Sequence, residues 1–331
     1  MGEVTNVELG VATTGSKLIR LIKRIGTGEF GLVFILFAVN LVFFILNPAF
    51  LSQENLINTL RSTAILGIIS CGMVVVILTG NIDLSVGSIA AFAGVATALA
   101  VKQGASDILA ACVGIIVGTV IGFFFGLTSG LFKLPTLLVT LGSQYIVRGA
   151  LYQIRDGHPV TDLRASFSFI GNGYFLNVPI PVFIMAIMFI ITWVVLSKTV
   201  IGRKIYAFGT NQQAARYCGI TQTSIKTLVL TFSGFCSGIA GVVFSSRLMS
   251  GQLNIATDIN LQSIAAVVIG GTSLAGGKGG IVGTIIGVIM FGFLRNGLNV
   301  VRVSAYWQMV LTGAIIIGVL ILNHYRESKE E

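Results

Sequence analysis

Residues 211–220 read Asn-Gln-Gln-Ala-Ala-Arg-Tyr-Cys-Gly-Ile and lie within a basic, polar stretch, 198–226, between two long apolar runs. The pattern predicts a short helix with paired alanines that ends at Gly219, because glycine is favoured just beyond a helix C-terminus. Cationic residues flank this segment on both sides. A rigid basic element at a membrane edge suits a surface that presses against another protein. The stretch therefore suggests a membrane pore that a separate cytoplasmic motor drives.

The composition predicts an all-α, polytopic membrane protein. Hydrophobic residues make up 54% of the 331 residues and charged residues only 10%, whereas soluble domains carry about a quarter charged residues. The apolar runs are continuous rather than alternating, which favours helices over a β-barrel. A helical crossing needs roughly 20 apolar residues. By this measure the sequence predicts about ten spans, at 30–47, 60–80, 84–101, 108–131, 134–152, 179–197, 226–247, 261–276, 280–299 and 305–322.

The distribution of Lys and Arg predicts the orientation, because these residues concentrate in cytoplasmic loops. With the N-terminus inside, thirteen fall on the cytoplasmic side and eight on the other. An even number of spans then places both termini in the cytoplasm. We expect a cytoplasmic N-terminal segment (1–29), a transmembrane domain (30–322) and a cytoplasmic tail (323–331). Within the domain, 198–226 is a cytoplasmic coupling loop and 153–178 is the longest outer loop.

Several functional classes lack support in the sequence. The net charge is +9, but the basic residues are scattered singly, unlike a nucleic-acid-binding stripe. The four cysteines have no metal-like spacing, and His158 and His324 lie in a loop and the tail. The glycine-rich stretch 270–280 does not match a phosphate-binding loop, since Thr272 and Gly279 occupy positions that require Gly and Ser or Thr. We expect no enzyme activity, no metal and no cofactor in this chain, and interpret 270–280 as an inner-face hairpin.

One acidic residue interrupts the apolar sequence between the second and third spans. Residues 80–88 read Gly-Asn-Ile-Asp-Leu-Ser-Val-Gly-Ser, and an ionisable residue at this depth is a functional candidate by default. Asp83 or Ser85 also suits the N-cap of the following helix, whose first amides need acceptors. Both interpretations stay open, because broken helix ends often line transport paths.

Glycines recur every fourth residue in two spans, at 114–130 and at 279–287. This period places them on one helix face, where two backbones can approach closely. We predict close packing between helices of the same chain in preference to a seam between subunits.

Four stretches resemble the permease subunits of bacterial ABC importers for ribose, xylose, arabinose and related monosaccharides, the ribose permeases most of all. The resemblance covers about 47–322, and its motifs are highly specific in combination. They are NPAF at 47–50 before Asn55 and Leu56, the 80–88 stretch, GRKIYAFGTN at 202–211 leading into Ala-Ala-Arg, and IAAVVIGGTSL at 264–274.

The resemblance implies the permease subunit of an ATP-driven importer for a monosaccharide such as ribose, in the bacterial plasma (inner) membrane. Its partners are then a second permease subunit, most simply an identical copy, a cytoplasmic ATPase that hydrolyses ATP, an extracytoplasmic sugar-binding protein and membrane lipid, with no nucleic acid. The residues implied in contact with the ATPase are Arg203, Lys204, Asn211, Gln213, Ala214, Ala215, Arg216 and Gly219. The binding protein would meet Arg148, Arg155 and Arg164, since such rim charges steer partners.

The sequence departs from the family at three places. Gln213 replaces the usual Glu of the coupling motif, and Asn81 replaces a common glycine. Residues 260–262 read Asn-Leu-Gln, where relatives carry Glu-Leu followed by Asp or a small residue. Because these acidic groups are missing, the sequence does not indicate which sugar is transported. The candidates for the translocation path or gate are Asn81, Asp83, Ser85, Ser88, Asn260 and Gln262.

Two other functions stay in consideration. A stand-alone, proton-coupled secondary transporter would need a buried ionisable relay, for which Asp83 is the one serious candidate. A channel or scaffold without energy input fits less well with the coupling-like loop.

Overall fold

The computed structural model describes residues 29–327, which form thirteen α-helices and one short β-hairpin. Residues 1–28, most of the expected N-terminal segment, and residues 328–331 of the tail lie outside the described part. The helices are α1 (Glu29–Leu46), α2 (Gln53–Ile77), α3 (Val86–Lys102), α4 (Asp107–Leu131), α5 (Thr136–Arg155), α6 (Ser168–Asn172), α7 (Ile180–Lys198), α8 (Val200–Thr210), α9 (Gln212–Tyr217), α10 (Gln222–Leu248), α11 (Ile259–Ile269), α12 (Ile281–Val300) and α13 (Ala305–Glu327). Two 3₁₀ turns (Pro48–Leu51 and Ala165–Phe167) and the antiparallel strands β1 (Tyr174–Phe175) and β2 (Val178–Pro179) complete the fold.

Each of the ten apolar runs identified in the sequence contains one long or medium helix. Five helices within 29–327 are long and apolar enough to cross a membrane: α2, α4, α7, α10 and α12. The eighth predicted span, 261–276, is wrong in extent, because α11 ends at Ile269 and residues 270–280 form turns. At a rise of 1.5 Å per residue, α11 is roughly 16 Å long, about half of a bilayer core.

Side-chain oxygens begin several of the helices. Ser52, Ser106 and Thr221 each accept a hydrogen bond from the amide three residues ahead, at the starts of α2, α4 and α10 respectively. These hydroxyls satisfy one of the free amides that every helix N-terminus presents. The predicted outer loop, 153–178, contains short structure of its own, namely α6, one 3₁₀ turn and β1.

Helices α2 and α10 form the centre of the molecule. Every residue of α2 from 63 to 77 is buried, which identifies it as a helix surrounded by other helices. Helix α10 packs against α2, α3 and α4. The exposed faces of α4 and α7 consist largely of Ile, Leu, Phe and Val, as expected for surfaces in contact with lipid.

The glycine face of α4 packs directly onto α10, which confirms the prediction of close helix contact within one chain. A Cβ atom added at Gly118 would lie 2.7 Å from the Cα atom of Gly238, and one at Gly126 would lie 2.9 Å from the Cα atom of Thr227. At the end of the contact, the Thr223 hydroxyl donates to the Gly130 carbonyl over 2.9 Å. The second glycine series packs α12 against the end of α11, where Gly283 meets Gly270.

The connecting segments collect at two opposite ends of the helix bundle. At one end, which we call the coupling face, residues 78–85, 199–221 and 270–280 meet. At the other end, the cavity face, residues 156–179 and 249–258 meet, with the Val160 and Gly251 backbones paired as a β-bridge. The count of ten spans and the side of the membrane on which the termini lie stay predictions.

Candidate functional site

The coupling segment consists of α8 and α9 and is held in shape by its own caps. Asn211 lies between the two helices: its backbone amide donates to the Ala207 carbonyl at the end of α8, and its side chain accepts the Ala214 amide at the start of α9 over 2.9 Å. Helix α9 stops where Gly219 adopts a φ of 80° and the Ile220 amide returns to the Ala215 carbonyl over 3.0 Å. This left-handed conformation favours glycine, so the predicted short helix ending at Gly219 is confirmed.

One face of α9 is exposed and the other packs inward. Ala215 is buried with 4% of its surface exposed, whereas Tyr217 is 92% exposed. The exposed surface continues through Asn211, Gln213, Ala214, Arg216 and Gly219, and through Arg203 and Lys204 of α8. Of the coupling residues implied by the resemblance, Ala215 alone is therefore turned away from any partner and supports the segment from beneath.

The coupling segment contacts the turns that precede α12. The Tyr206 hydroxyl donates to the Gly279 carbonyl over 2.9 Å, and burial raises the pKa of this phenol, so it remains a donor at neutral pH. A Cβ atom at Gly209 would lie 2.6 Å from the Gly277 amide nitrogen. That amide in turn donates to the Leu78 carbonyl at the end of α2, over 2.9 Å. The coupling segment is thus in direct contact with the start of the 78–85 segment.

Asp83 lies in the part of the 78–85 segment that enters the helix bundle, and it is 1% exposed. One carboxylate oxygen accepts the Ser85 amide over 2.8 Å and the Ser85 hydroxyl. The other oxygen accepts the Ser233 hydroxyl of α10 over 2.7 Å. The capping interpretation was wrong in detail, because Ser85 occupies the N-cap of α3 without a side-chain cap bond. Asp83 instead links the helix break to α10.

Three of the other path candidates lie near this break, and one does not. The Asn81 amide group donates to the Thr79 carbonyl over 3.0 Å, and Asn260 donates to the Leu84 carbonyl over 3.2 Å. Ser88 is buried in the first turn of α3, and its hydroxyl has no hydrogen-bond partner. Gln262 points elsewhere, into a cavity at the cavity face.

The cavity has a volume of about 370 Å³ and lies between α2, α10, α11 and α12. Ten of its eighteen lining residues are polar, including Arg247, Asp258, Gln262, Arg295 and Asn299. The Arg295 guanidinium donates to the Gln262 side chain over 2.7 Å. Ligand pockets of this size accept small molecules, and the wall of hydroxyl, amide and guanidinium groups suits a polyhydroxylated one.

The three arginines implied to meet a binding protein have different surroundings. Arg148 donates to the Leu253 and Ile255 carbonyls and so secures the 249–258 loop. Arg164 pairs with Asp107 over 2.6 Å. Arg155 is half-buried, with an Nε atom that has no partner. All three belong to α5 or to the cavity-face loops, and their contact with a partner protein stays a prediction.

Sequence reasoning missed Tyr217, Arg247 and Arg295. The position of Tyr217, directly after the Ala-Ala-Arg motif, was a usable signal for an exposed aromatic on the coupling segment. The two arginines lie near the ends of apolar helices, where Lys and Arg usually extend towards the membrane surface. Only the fold shows that they share a cavity.

Comparison with known proteins identifies the family. A model described as the permease component of the branched-chain amino acid transport system matches residues 55–320. The ribose import permease of Bacillus subtilis is 42% identical over 295 residues, which cover 88% of this chain and 92% of that protein. The D-allose transport system permease of Escherichia coli is 34% identical, covering 89% and 91% of the two chains.

A more distant relative is the L-arabinose ABC transporter permease of Azospirillum brasilense, 30% identical over 85% of this chain and 83% of its own length. No solved structure matches the chain. The relatives are bacterial transport permeases, and the chain has several helices able to cross a membrane. The chain is a multi-pass protein of the bacterial plasma membrane and belongs to the permease-component family that includes the ribose, allose and arabinose import permeases.

Proposed function

We propose that this chain is the membrane subunit of an ATP-driven importer for a monosaccharide. The names of several relatives favour ribose as that sugar. A separate ATPase docks at the coupling face, and a separate sugar-binding protein delivers substrate at the cavity face. The coupling face is cytoplasmic, as are both termini, and a second copy of the chain completes the path. The ten predicted spans cross or enter the membrane.

The observation that carries this proposal is the construction of the coupling segment. A cationic, solvent-exposed helix pair rests on turns that hold the end of α2 by hydrogen bonds. Such an element suits a lever that a partner pushes. Arg203, Lys204 and Arg216 favour an acidic partner surface, and Tyr217 supplies an aromatic anchor of the kind that dominates binding energy at interfaces.

The mechanism we infer is alternating access. ATP binding in the partner moves α9, which moves α8 and the 270–280 turns. The turns displace residues 78–85, and the Asp83–Ser233 contact passes that displacement to α10. The cavity between α10 and α12 then opens or closes. The two states must differ in contacts for this to work, because a motor shifts an equilibrium only through differential interaction.

Uptake measurements in membrane vesicles test the proposal. Vesicles that contain the chain with its co-expressed ATPase and binding protein should accumulate radiolabelled ribose or a related sugar when ATP is supplied. A protonophore should leave that accumulation unchanged. Uptake that requires a proton gradient and proceeds without ATP would support the stand-alone secondary transporter instead.

The surroundings of Asp83 give little support to a proton-coupled transporter. The hydrogen-bond partners of Asp83 are one backbone amide and two serine hydroxyls, and none of these groups titrates near neutral pH. A proton relay needs a second ionisable group close to the first.

A further inference from the structure

The cavity carries more positive than negative charge. Two arginines, Arg247 and Arg295, and one acidic residue, Asp258, line it, so its formal net charge is +1. Among residues 29–327 the ion pairs join Lys102 to Asp162 and Arg164 to Asp107, and neither involves the cavity. Within the described part of the chain, the two guanidinium groups therefore line the cavity without forming an ion pair with a carboxylate.

Both guanidinium groups have donors to spare. Arg295 uses one bond, to the neutral Gln262 amide, over 2.7 Å. Arg247 uses one, to the Ser62 hydroxyl, over 3.1 Å. A guanidinium has five N–H donors in a planar fork, so at least one edge of each remains available. Arg247 is partly buried and Arg295 is exposed, so a ligand in the cavity can reach both groups, and a carboxylate would satisfy their spare donors with charge-assisted hydrogen bonds.

Arg61 does not line the cavity, but it adds positive charge beside Arg247. It donates to the Asn172 carbonyl over 3.0 Å and stacks 4.7 Å from the Tyr174 ring centre. It also lies close enough to Arg247 for the two charges to repel. A neutral sugar offers these arginines only hydroxyl acceptors, whereas a carboxylate accepts two parallel bonds from one guanidinium.

We propose that the cavity takes an acidic monosaccharide, one that carries a carboxylate, in preference to a neutral one. Arg295 holds the carboxylate, Arg247 adds charge from the opposite helix, and the side-chain amides of Gln262, Asn296 and Asn299 face the sugar hydroxyls. The proposal rests on the proposed import function and narrows its substrate class.

Equilibrium binding to the full chain, purified in mild detergent with its ATPase, tests the proposal. Radiolabelled D-glucuronate and D-glucose form a matched pair, since they differ only in a carboxylate or hydroxymethyl group at C6. The wild-type chain should bind glucuronate more tightly than glucose or ribose. Arg295→Gln should weaken glucuronate binding by about tenfold to a hundredfold, the loss expected for a charged hydrogen-bond pair, and change glucose binding little. Arg302→Gln is the matched control, because Arg302 is exposed just beyond α12 and outside the cavity.

Acetate distinguishes a site for sugar acids from one that attracts any carboxylate. Competition by acetate as strong as that by glucuronate would overturn the proposal, and so would equal affinity for glucose and glucuronate. Wild-type glucuronate binding in Arg295→Gln, or no binding of either probe, would overturn it as well. Retention of the ATPase in the same preparation would show that only the substrate class had failed, whereas its absence would count against the proposed function.

Discussion

Ser233 in the middle of α10 donates a hydrogen bond to the carboxylate of Asp83, 150 positions earlier in the chain, over 2.7 Å. This contact joins the break between α2 and α3 to α10, the helix that follows the coupling segment. It is the point at which we expect movement at the coupling face to reach the cavity.

Removal of the Ser233 hydroxyl tests that link. Ser233→Ala leaves one oxygen of a buried carboxylate without a donor, which should cost about 1–3 kcal/mol of stability and reduce ATP-driven uptake. Ser237→Ala is the matched control, because Ser237 is equally buried one turn later and its hydroxyl has no partner. Thermal unfolding in detergent and vesicle uptake measure the two effects. Equal behaviour of the two variants would remove Asp83–Ser233 from the mechanism.

The close packing of α4 on α10 predicts that the stability of the fold depends strongly on the glycines of α4. Gly118→Ala places a methyl group against the α10 backbone and should destabilise the fold by about 1–3 kcal/mol, as overpacking does elsewhere. Gly313→Ala, at a helical glycine with open space around it, should be neutral or slightly stabilising. The temperature at which each purified variant loses its monodisperse peak provides the measurement. A tolerated Gly118→Ala would mean that the two helices separate easily.

Tyr217 is expected to anchor the ATPase. Tyr217→Ala removes an exposed aromatic ring and should leave the stability of the permease unchanged while weakening ATPase binding by about tenfold or more, as hot-spot residues do. Tyr306→Ala is the control, since Tyr306 is 82% exposed but follows the cavity-face end of α12. The amount of ATPase retained by each tagged variant reports the difference. Equal retention would show that Tyr217 lies outside the interface.

The two alanines of the coupling motif should respond differently to the same change. Ala214→Asp puts a charge on the exposed face of α9, where it should repel an acidic partner and leave the permease folded. Ala215→Asp puts the charge in a site with 4% exposure, where it should lower the stability of the permease itself. Unfolding temperatures and ATPase retention, measured side by side, separate the two. The reverse pattern would mean that α9 is rotated in the assembled transporter.

The sequence predicted much of this fold because lipid restricts the choices. A chain with long apolar runs must form helices, and a fourfold glycine period allows little except close helix contact. Likewise Gly219, shortly after Ala-Ala-Arg in the sequence, correctly predicted the end of α9. The end of α11 was harder to place, because the apolar run that forms it continues into the glycine-rich stretch from Gly270 onward, and the sequence does not mark the residue at which the helix gives way to turns.

Some residues of the candidate site could be predicted from the sequence and others could not. Asp83 was recognisable because an acidic residue in an apolar region is rare, but its partner Ser233 was not, since a serine within a helix usually bonds to its own backbone. Gln262 and Asn260 stand two residues apart on one short helix, yet one faces the cavity and the other the helix break. That difference depends on how α11 is rotated, which local sequence does not specify.

Co-purification is the most direct test of the central claim that a separate ATPase drives this permease through its coupling face. The tagged chain, co-expressed with candidate ATPase subunits, solubilised in mild detergent and analysed by mass spectrometry, should retain an ATPase subunit in the wild type and in Tyr306→Ala. The ATPase should be lost from Ala214→Asp while the permease stays monodisperse. Recovery of a well-folded wild-type chain without any ATPase, or equal retention by Ala214→Asp, would contradict the account.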